Sequence, residues 1–212
     1  MGKENIQEKK WGGKFGKVYI SRNPMGTKEM NKLYMQNYGI NRTKLNEDFL
    51  GKISKSSKIL EVGCNIGTQL LFLQKMGFKN LYGIETNKEA IEISKSITKD
   101  INIIQGSALD IPFKNKYFDL VFTSGVLIHI SPIDIKKVIQ EIYRCSKKYI
   151  WGFEYYAEKY TEIVYRGNKN MLWKADFPRL YLKIFNNLKI EKEKKIKYLD
   201  SDNYDKMFLL KK

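Results

Sequence analysis

Histidine is almost missing from this chain of 212 residues: His129 stands alone. Cysteine is limited to Cys64 and Cys145, with no C-x-x-C pair. A closed zinc site needs about four such ligands, so no metal is expected. Each cysteine ends an apolar element, where a small buried side chain is the plain reading. Arginine stands at only five positions, and nearly all of the positive charge is lysine. No apolar run reaches the roughly 18 residues that a membrane span needs. The opening "MGKENIQEKK" has no apolar core of the secretory kind. Ile6 also stands where an N-myristoylation sequence has Ser or Thr. A cytoplasmic, soluble protein without a membrane span is expected.

What remains is a chain that is 42% hydrophobic and 13% aromatic, enough for one domain with a core. The net charge of +16 raises a nucleic-acid partner. Against that, "KIEKEKKIKYL" (189–199) interleaves Lys with Glu and Ile as a solvated strand face does. The charge is therefore read as surface, and a small molecule as the partner.

From Lys58 onward strand and helix patterns alternate. "KILEVG", "NLYGIE", "INIIQG", "YFDLVFTSG" and "KYIWGFEYY" read as strands, with "TQLLFLQKM", "NKEAIEISKSI" and "SPIDIKKVIQEIYRC" as helices between them. Ser131-Pro132 supplies an N-cap and first-turn pair for the last helix. Such alternation predicts a mostly parallel sheet with helices on both faces. After a helix near 177–187, two strands around "DSDN" are too close for a crossover and must pair antiparallel. A seven-stranded sheet ending in that hairpin is the class I methyltransferase, Rossmann-like α/β layout. Residues 1–54 read as a cap, with a turn-rich aromatic piece, "WGGKFGKVYISRNP", before a helical stretch from Thr27 to Ile53. Residues 55–212 form the main domain, and an insertion at about 154–178 is aromatic and charged.

The first crossover, "LEVGCNIGTQL", decides the ligand. A dinucleotide loop needs G-x-G-x-x-G, because pyrophosphate touches backbone at the middle glycine. Here Asn65 fills that place between Gly63 and Gly67. S-adenosylmethionine (SAM) has no phosphate, and its amino-acid end needs acceptors for the ammonium and N–H donors for the carboxylate. Glu61 can serve the first and the turn the second, with Asn65 as an added donor. Glu85 ends the next strand, where a carboxylate can accept from both ribose hydroxyls, with Thr86 beside it. Ser107 and Ala108 follow the third strand, where adenine is read, although an acid is more usual at Ser107. Ile84 and Leu109 can pack on the ring. Ser124-Gly125 lets backbone pass close to the cofactor. Asp110 and Asp119 read as capping or bracing groups.

SAM, leaving as S-adenosylhomocysteine (SAH), therefore fits better than a nicotinamide dinucleotide, and no [DN]-P-P-[YF] motif or nucleophilic cysteine points to base methylation. Methyl transfer from a sulfonium chiefly needs alignment and the exclusion of water. A hydroxyl acceptor also needs a base. His129, just past the fourth strand, is the candidate, with Glu154 and Tyr165 as further catalytic candidates. Tyr155, Tyr156, Arg166 and Asp176 are candidates for holding the acceptor. An RNA methyltransferase and a non-catalytic SAM-binding protein stay open as alternatives.

Nearly the whole chain resembles the pseudaminic acid biosynthesis-associated methylases. The likeness lies in "WGGKFGKVYISRN", "LEVGCNIGTQL", "GIETN", "VLIHISP", "EIYRCSKKYI", "EYY", "YRG" and "KADF". It implies that Tyr19, Arg22 and Asn23 fold over the cofactor. It also implies oxygen, or less often nitrogen, methylation of a sugar or related precursor of bacterial surface polysaccharide. Lys17 and Asn168 depart from the family pattern, where an acidic residue and a histidine stand.

Overall fold

Five parallel strands follow the predicted alternation: β1 (Lys58–Val62), β2 (Asn80–Glu85), β3 (Asn102–Gln105), β4 (Phe118–Ser124) and β5 (Ser146–Tyr155). The structure is a computed structural model that describes residues 5–22 and 26–212. Two further strands, β8 (Lys189–Lys197) and β9 (Tyr204–Lys211), complete the sheet in the order β3-β2-β1-β4-β5-β9-β8. β9 runs antiparallel to both of its neighbours. This is the class I methyltransferase architecture. The strand order reverses beside β1, so a crevice opens at the carboxyl ends of β1 and β4, where such sheets bind ligands.

Helices cover both faces. On one, α7 (Ile135–Cys145) buries Ile135, Val138, Ile139, Ile142 and Cys145, one stripe at helical spacing. It packs with α8 (Phe177–Ile184) over Leu60 and Val121. On the other face, α3 (Thr27–Tyr38), α4 (Arg42–Leu50) and α5 (Thr68–Lys75) close over Ile59, Leu120 and Trp151. The buried Arg42 guanidinium donates to Asn46 Oδ1 (2.8 Å) and Tyr34 Oη (2.7 Å) and lies 4.7 Å from the Phe153 ring centre. Its charge is thus kept inside by hydrogen bonds and aromatic faces. Asp119 braces the sheet as the sequence suggests, accepting the Lys58 N–H at 2.9 Å. α6 (Lys88–Ile97) links β2 to β3, its first turn capped by the Asn87 side chain.

The amino-terminal segment differs from its sequence pattern. "WGGKFGKVYIS" is not turn-rich but helical, as α1 (Ile6–Gly12) and α2 (Lys14–Arg22). Asn5 caps α1 by accepting from Gln7 N and Glu8 N. Gly16 is a packing glycine: a Cβ there would lie 2.6 Å from Asn87 Nδ2. The helical stretch from Thr27 is two helices, because Gly39 (φ +68°) ends α3 and Asn41 caps α4. α7 starts regular winding only at Ile135, since Ser131 closes a separate turn with Asp134. Within 154–178 the chain folds a small hairpin, β6 (Thr161–Tyr165) and β7 (Asn168–Lys174), as its own two-stranded sheet. Arg166 and Gly167 form its turn, both with positive φ.

Ile139→Ala should lower stability by about 2–5 kcal/mol, the range for a truncated core aliphatic. Val164→Ala, at a position 59% exposed, should change it by less than about 0.5 kcal/mol. Urea unfolding reads both, and equal shifts would contradict this account of the core.

Candidate functional site

The β1–α5 turn is built from left-handed backbone. Gly63 (φ +71°), Asn65 (φ +50°) and Gly67 (φ +84°) alternate along it. A Cβ on Gly63 would sit 2.7 Å from Val126 Cγ2, and one on Gly67 2.9 Å from Ile103 Cδ1, so a side chain at either would have to displace a neighbour in addition to taking up a left-handed backbone. Asn is among the few other residues that adopt this conformation readily, which accounts for Asn65. The turn is held from β2. Gly63 N and Cys64 N both donate to the Ile84 carbonyl, at 2.9 and 3.0 Å. The Glu85 carboxylate accepts from Asn65 N (2.8 Å) through one oxygen and from Thr86 N (2.8 Å) and Asn87 N (2.9 Å) through the other.

A cavity of about 190 Å³ opens above this turn, at the carboxyl ends of β1, β2 and β4. Glu61 lies at its floor, 2% exposed, and its Oε2 has no hydrogen-bond partner among the described residues. Asn65 Oδ1 and Gln69 Oε1, which also line the cavity, are buried and unpartnered in the same way. Leaving such an acceptor unsatisfied costs roughly 1–3 kcal/mol. Burial pushes the Glu61 carboxyl well above the usual carboxylate range, with the Arg42 charge opposing and Glu85 adding to the rise. Three orphaned acceptors around one turn fit a ligand that brings N–H donors or positive charge. Asn65 contributes an unpartnered acceptor here, in addition to the donor that its amide offers. In a chain of net charge +16, no Lys or Arg is among the described residues lining the cavity, whereas Glu8, Glu61, Glu85 and Asp134 are.

The far wall comes from the end of β4. Ser124, Gly125, Val126 and His129 line it, and Gly125 (φ +67°) would have nothing within 4 Å of an added Cβ. A short 3-10 turn, Leu127–His129, presents the histidine. Glu154, from β5, lies behind that turn and outside the cavity lining. It accepts from Val126 N (3.2 Å) and Ile128 N (3.4 Å), and burial pushes its carboxyl up to about 7 against the pull of Thr123 and these N–H groups. Glu154 therefore positions the wall rather than facing the cavity. Tyr165 also stands outside the lining, with its ring 5.4 Å from that of His129.

The roof is α1 and α2. Asn5 Nδ2 donates to Asp134 Oδ2 (2.8 Å), Asn87 Nδ2 to the Trp11 carbonyl (2.9 Å), and the Ser107 hydroxyl to Glu8 Oε1. Ile20 packs on Ile66 and Ala90. Tyr19 lines the cavity, but Arg22 does not: its Nε turns back to the Val18 carbonyl (3.0 Å). Asn23 lies outside the described residues. Ala108 and Thr86 line the cavity, and Ser107 stands just behind. Sequence reasoning missed Trp11, Gln69, Asn87 and Glu8, which come from helix starts and the roof rather than from strand ends.

The four acceptor-holding candidates are engaged elsewhere. Asp176 takes both carboxylate oxygens to Lys206 Nζ, each at 2.9 Å, and Tyr156 lies 4.4 Å from the same ammonium. Tyr155 packs edge-on to Tyr198, and Arg166 is exposed at the hairpin turn beside Tyr165. None of them lines the cavity. The insertion runs alongside the site, and its contribution there comes through Met171 and Tyr165.

Sequence alone gives His129 the ordinary near-neutral titration; the structure shifts it. Its ring is 8% exposed, and Nδ1 lies 2.7 Å from the Met171 carbonyl. A carbonyl can only accept, so Nδ1 carries the proton and Nε2 remains an acceptor. Trp11 packs on the ring at 4.4 Å. Burial lowers the imidazole to about 4, with the Met171 bond opposing. Because the folded value lies below the unfolded one, the stability gained by keeping the ring neutral is present above about pH 6.5 and falls away toward pH 4. As the sole histidine, it can be followed by NMR. The imidazole should stay in the Nδ1–H form between pH 5 and 8, and a midpoint near 6.5 would contradict the burial described.

Comparison with known proteins follows the same lines. Residues 60–149 match a family described as a methyltransferase domain. An uncharacterized methyltransferase of Synechocystis is 30% identical over 95 residues, 45% of this chain and 44% of its own length. The chain thus spans less than half the length of the first curated relatives it matches, 41% and 44%. Among solved structures, the PH0226 protein of Pyrococcus horikoshii superposes with a TM-score of 0.71 at 17% identity, covering 94% of this chain and 98% of that one. A Burkholderia thailandensis 1,6-didemethyltoxoflavin-N1-methyltransferase, solved with bound 1,6-didemethyltoxoflavin and SAH, gives a TM-score of 0.64 at 10% identity, covering 80% of this chain and 76% of that one. Residues 60–149 thus match a methyltransferase domain, and the chain has the fold of the class I methyltransferases.

Proposed function

We propose that this protein is a SAM-dependent methyltransferase acting on oxygen, or less often nitrogen, of a small molecule. The sequence resemblance points to a sugar or related precursor of bacterial surface polysaccharide. One observation carries the cofactor reading: Glu61, Asn65 and Gln69 present unpartnered acceptors in a cavity without described cationic lining. Those three side chains accept from the ligand's ammonium, and the Ile66 N–H and the Asn65 amide receive its carboxylate, since the N–H groups of Gly63, Cys64, Asn65 and Gly67 are bonded within the protein. Glu85, already oriented by three backbone N–H groups, accepts from the ribose hydroxyls. When bound, SAM supplies an electrophilic methyl group.

The chain's own residues do the rest. The α1–α2 roof excludes water, and alignment within such a closed site can supply roughly 7–11 kcal/mol. Gly125, without a side chain, leaves room at the end of β4 for the acceptor to approach. His129 Nε2, neutral and fixed by the Met171 bond, is the acceptor for the proton that leaves the substrate hydroxyl. At about 4 the imidazole is a weak base, so positioning contributes more than proton removal. The acid-lined cavity, with no Lys or Arg among its described lining residues, favours an uncharged or cationic acceptor over RNA, whose phosphates need positive contacts. The small substrate of the Burkholderia neighbour supports the same size class.

Calorimetry with SAM and SAH, followed by transfer of labelled methyl from SAM into pooled small metabolites, tests the proposal. Both ligands should bind, and Glu85→Ala should weaken binding by about 1–3 kcal/mol, the scale of charge-assisted hydrogen bonds. His129→Ala should leave SAH affinity unchanged while slowing turnover. Absence of binding by the unaltered protein would end the proposal, and unchanged affinity in Glu85→Ala would remove Glu85 from the site.

A further inference from the structure

We propose that Glu8, on the roof helix α1, is the residue that selects adenine by accepting from its exocyclic amine. The inference rests on the SAM reading of the cavity. With the amino-acid end at the 63–69 turn and the ribose at Glu85, the base must extend toward the exit of β3. Gly106 N donates to the Glu85 carbonyl at 3.1 Å, so that exit begins directly beside the ribose position. Gly106, Ala108 and Leu109 form the cavity wall there, and Glu8 faces the same cavity from α1.

Ser107 stands where an acid is more usual, and its hydroxyl is committed twice. It accepts Leu109 N–H at 2.9 Å and donates to Glu8 Oε1. The loop therefore brings no carboxylate of its own and instead fixes one delivered from the roof. Glu8 Oε2 takes no protein hydrogen bond among the described residues, which leaves it available to an amine donor. Asp134, which also lines the cavity, anchors the start of α1, its Oδ2 accepting from Asn5 Nδ2 (2.8 Å) and Ser131 Oγ (2.7 Å). An adenine amine presents donors to this corner. A 6-keto base presents an acceptor, and two facing acceptors repel. Base recognition and roof closure then become one event, since the group that reads the base sits on the element that covers it.

The test compares SAH with S-inosylhomocysteine, the 6-keto analogue, by calorimetry on the full chain. The unaltered protein should bind SAH at least about tenfold more tightly than the analogue. In Glu8→Gln, whose amide can donate to the keto oxygen, that ratio should fall severalfold, with the analogue's affinity kept or improved. Helix α1 buries none of its residues, so this variant should fold normally, as circular dichroism would verify. If Glu8→Gln weakens both ligands by the same factor, or changes neither, Glu8 is only a roof anchor and the proposal is overturned. If the unaltered protein binds neither ligand, the SAM reading itself fails.

Discussion

The Glu85 carboxylate is the interaction on which the site depends. One oxygen reaches across to Asn65 in the first crossover, and the other gathers Thr86 N and Asn87 N at the start of the second. It fixes the left-handed turn that exposes the acceptors of Glu61, Asn65 and Gln69, and it orients Asn87, which both caps α6 and holds the roof through the Trp11 carbonyl. Its three N–H bonds hold the carboxylate in one orientation at the cavity edge. Turn and roof both connect to this group.

Charge is distributed to match. The chain is strongly basic, yet the cavity is lined by acids and by uncharged groups. Lysines occupy outer surfaces such as β8, where they alternate with Glu191 and Glu193. Inside, the buried Arg42 sits among aromatic rings behind the floor, where its field opposes the effect of burial on Glu61. Glu154 is a second buried acid turned to a structural purpose, holding the backbone that carries His129.

The sequence was informative wherever backbone demands leave a mark in residue type. Gly63, Gly67 and Gly125 are needed for positive φ, and Glu85 falls at a strand end that the period-2 pattern locates. The sheet, its order of crossovers and the antiparallel ending follow from similar marks. The roof was harder to read, because glycine has two meanings. Gly13 does interrupt the helices, but Gly16 is there for close packing against the Trp11 carbonyl and Asn87, and spacing alone cannot separate these uses. The acceptor-side candidates lie outside the cavity lining for another reason. A stretch rich in Tyr and charged residues announces polar and aromatic surface, but where each side chain turns depends on partners such as Tyr198 and Lys206, which lie far along the chain. The low titration of His129 likewise follows from burial, with Trp11 packed on the ring and the Met171 bond opposing, and neither residue is a sequence neighbour.

A co-crystal structure with SAH tests the central claim most directly. The ligand's ammonium should lie within hydrogen-bond distance of Glu61 Oε2 and at least one of Asn65 and Gln69, with both ribose hydroxyls on Glu85. An amino-acid end bound away from the 63–69 turn, with those three acceptors still unpartnered, would contradict the account.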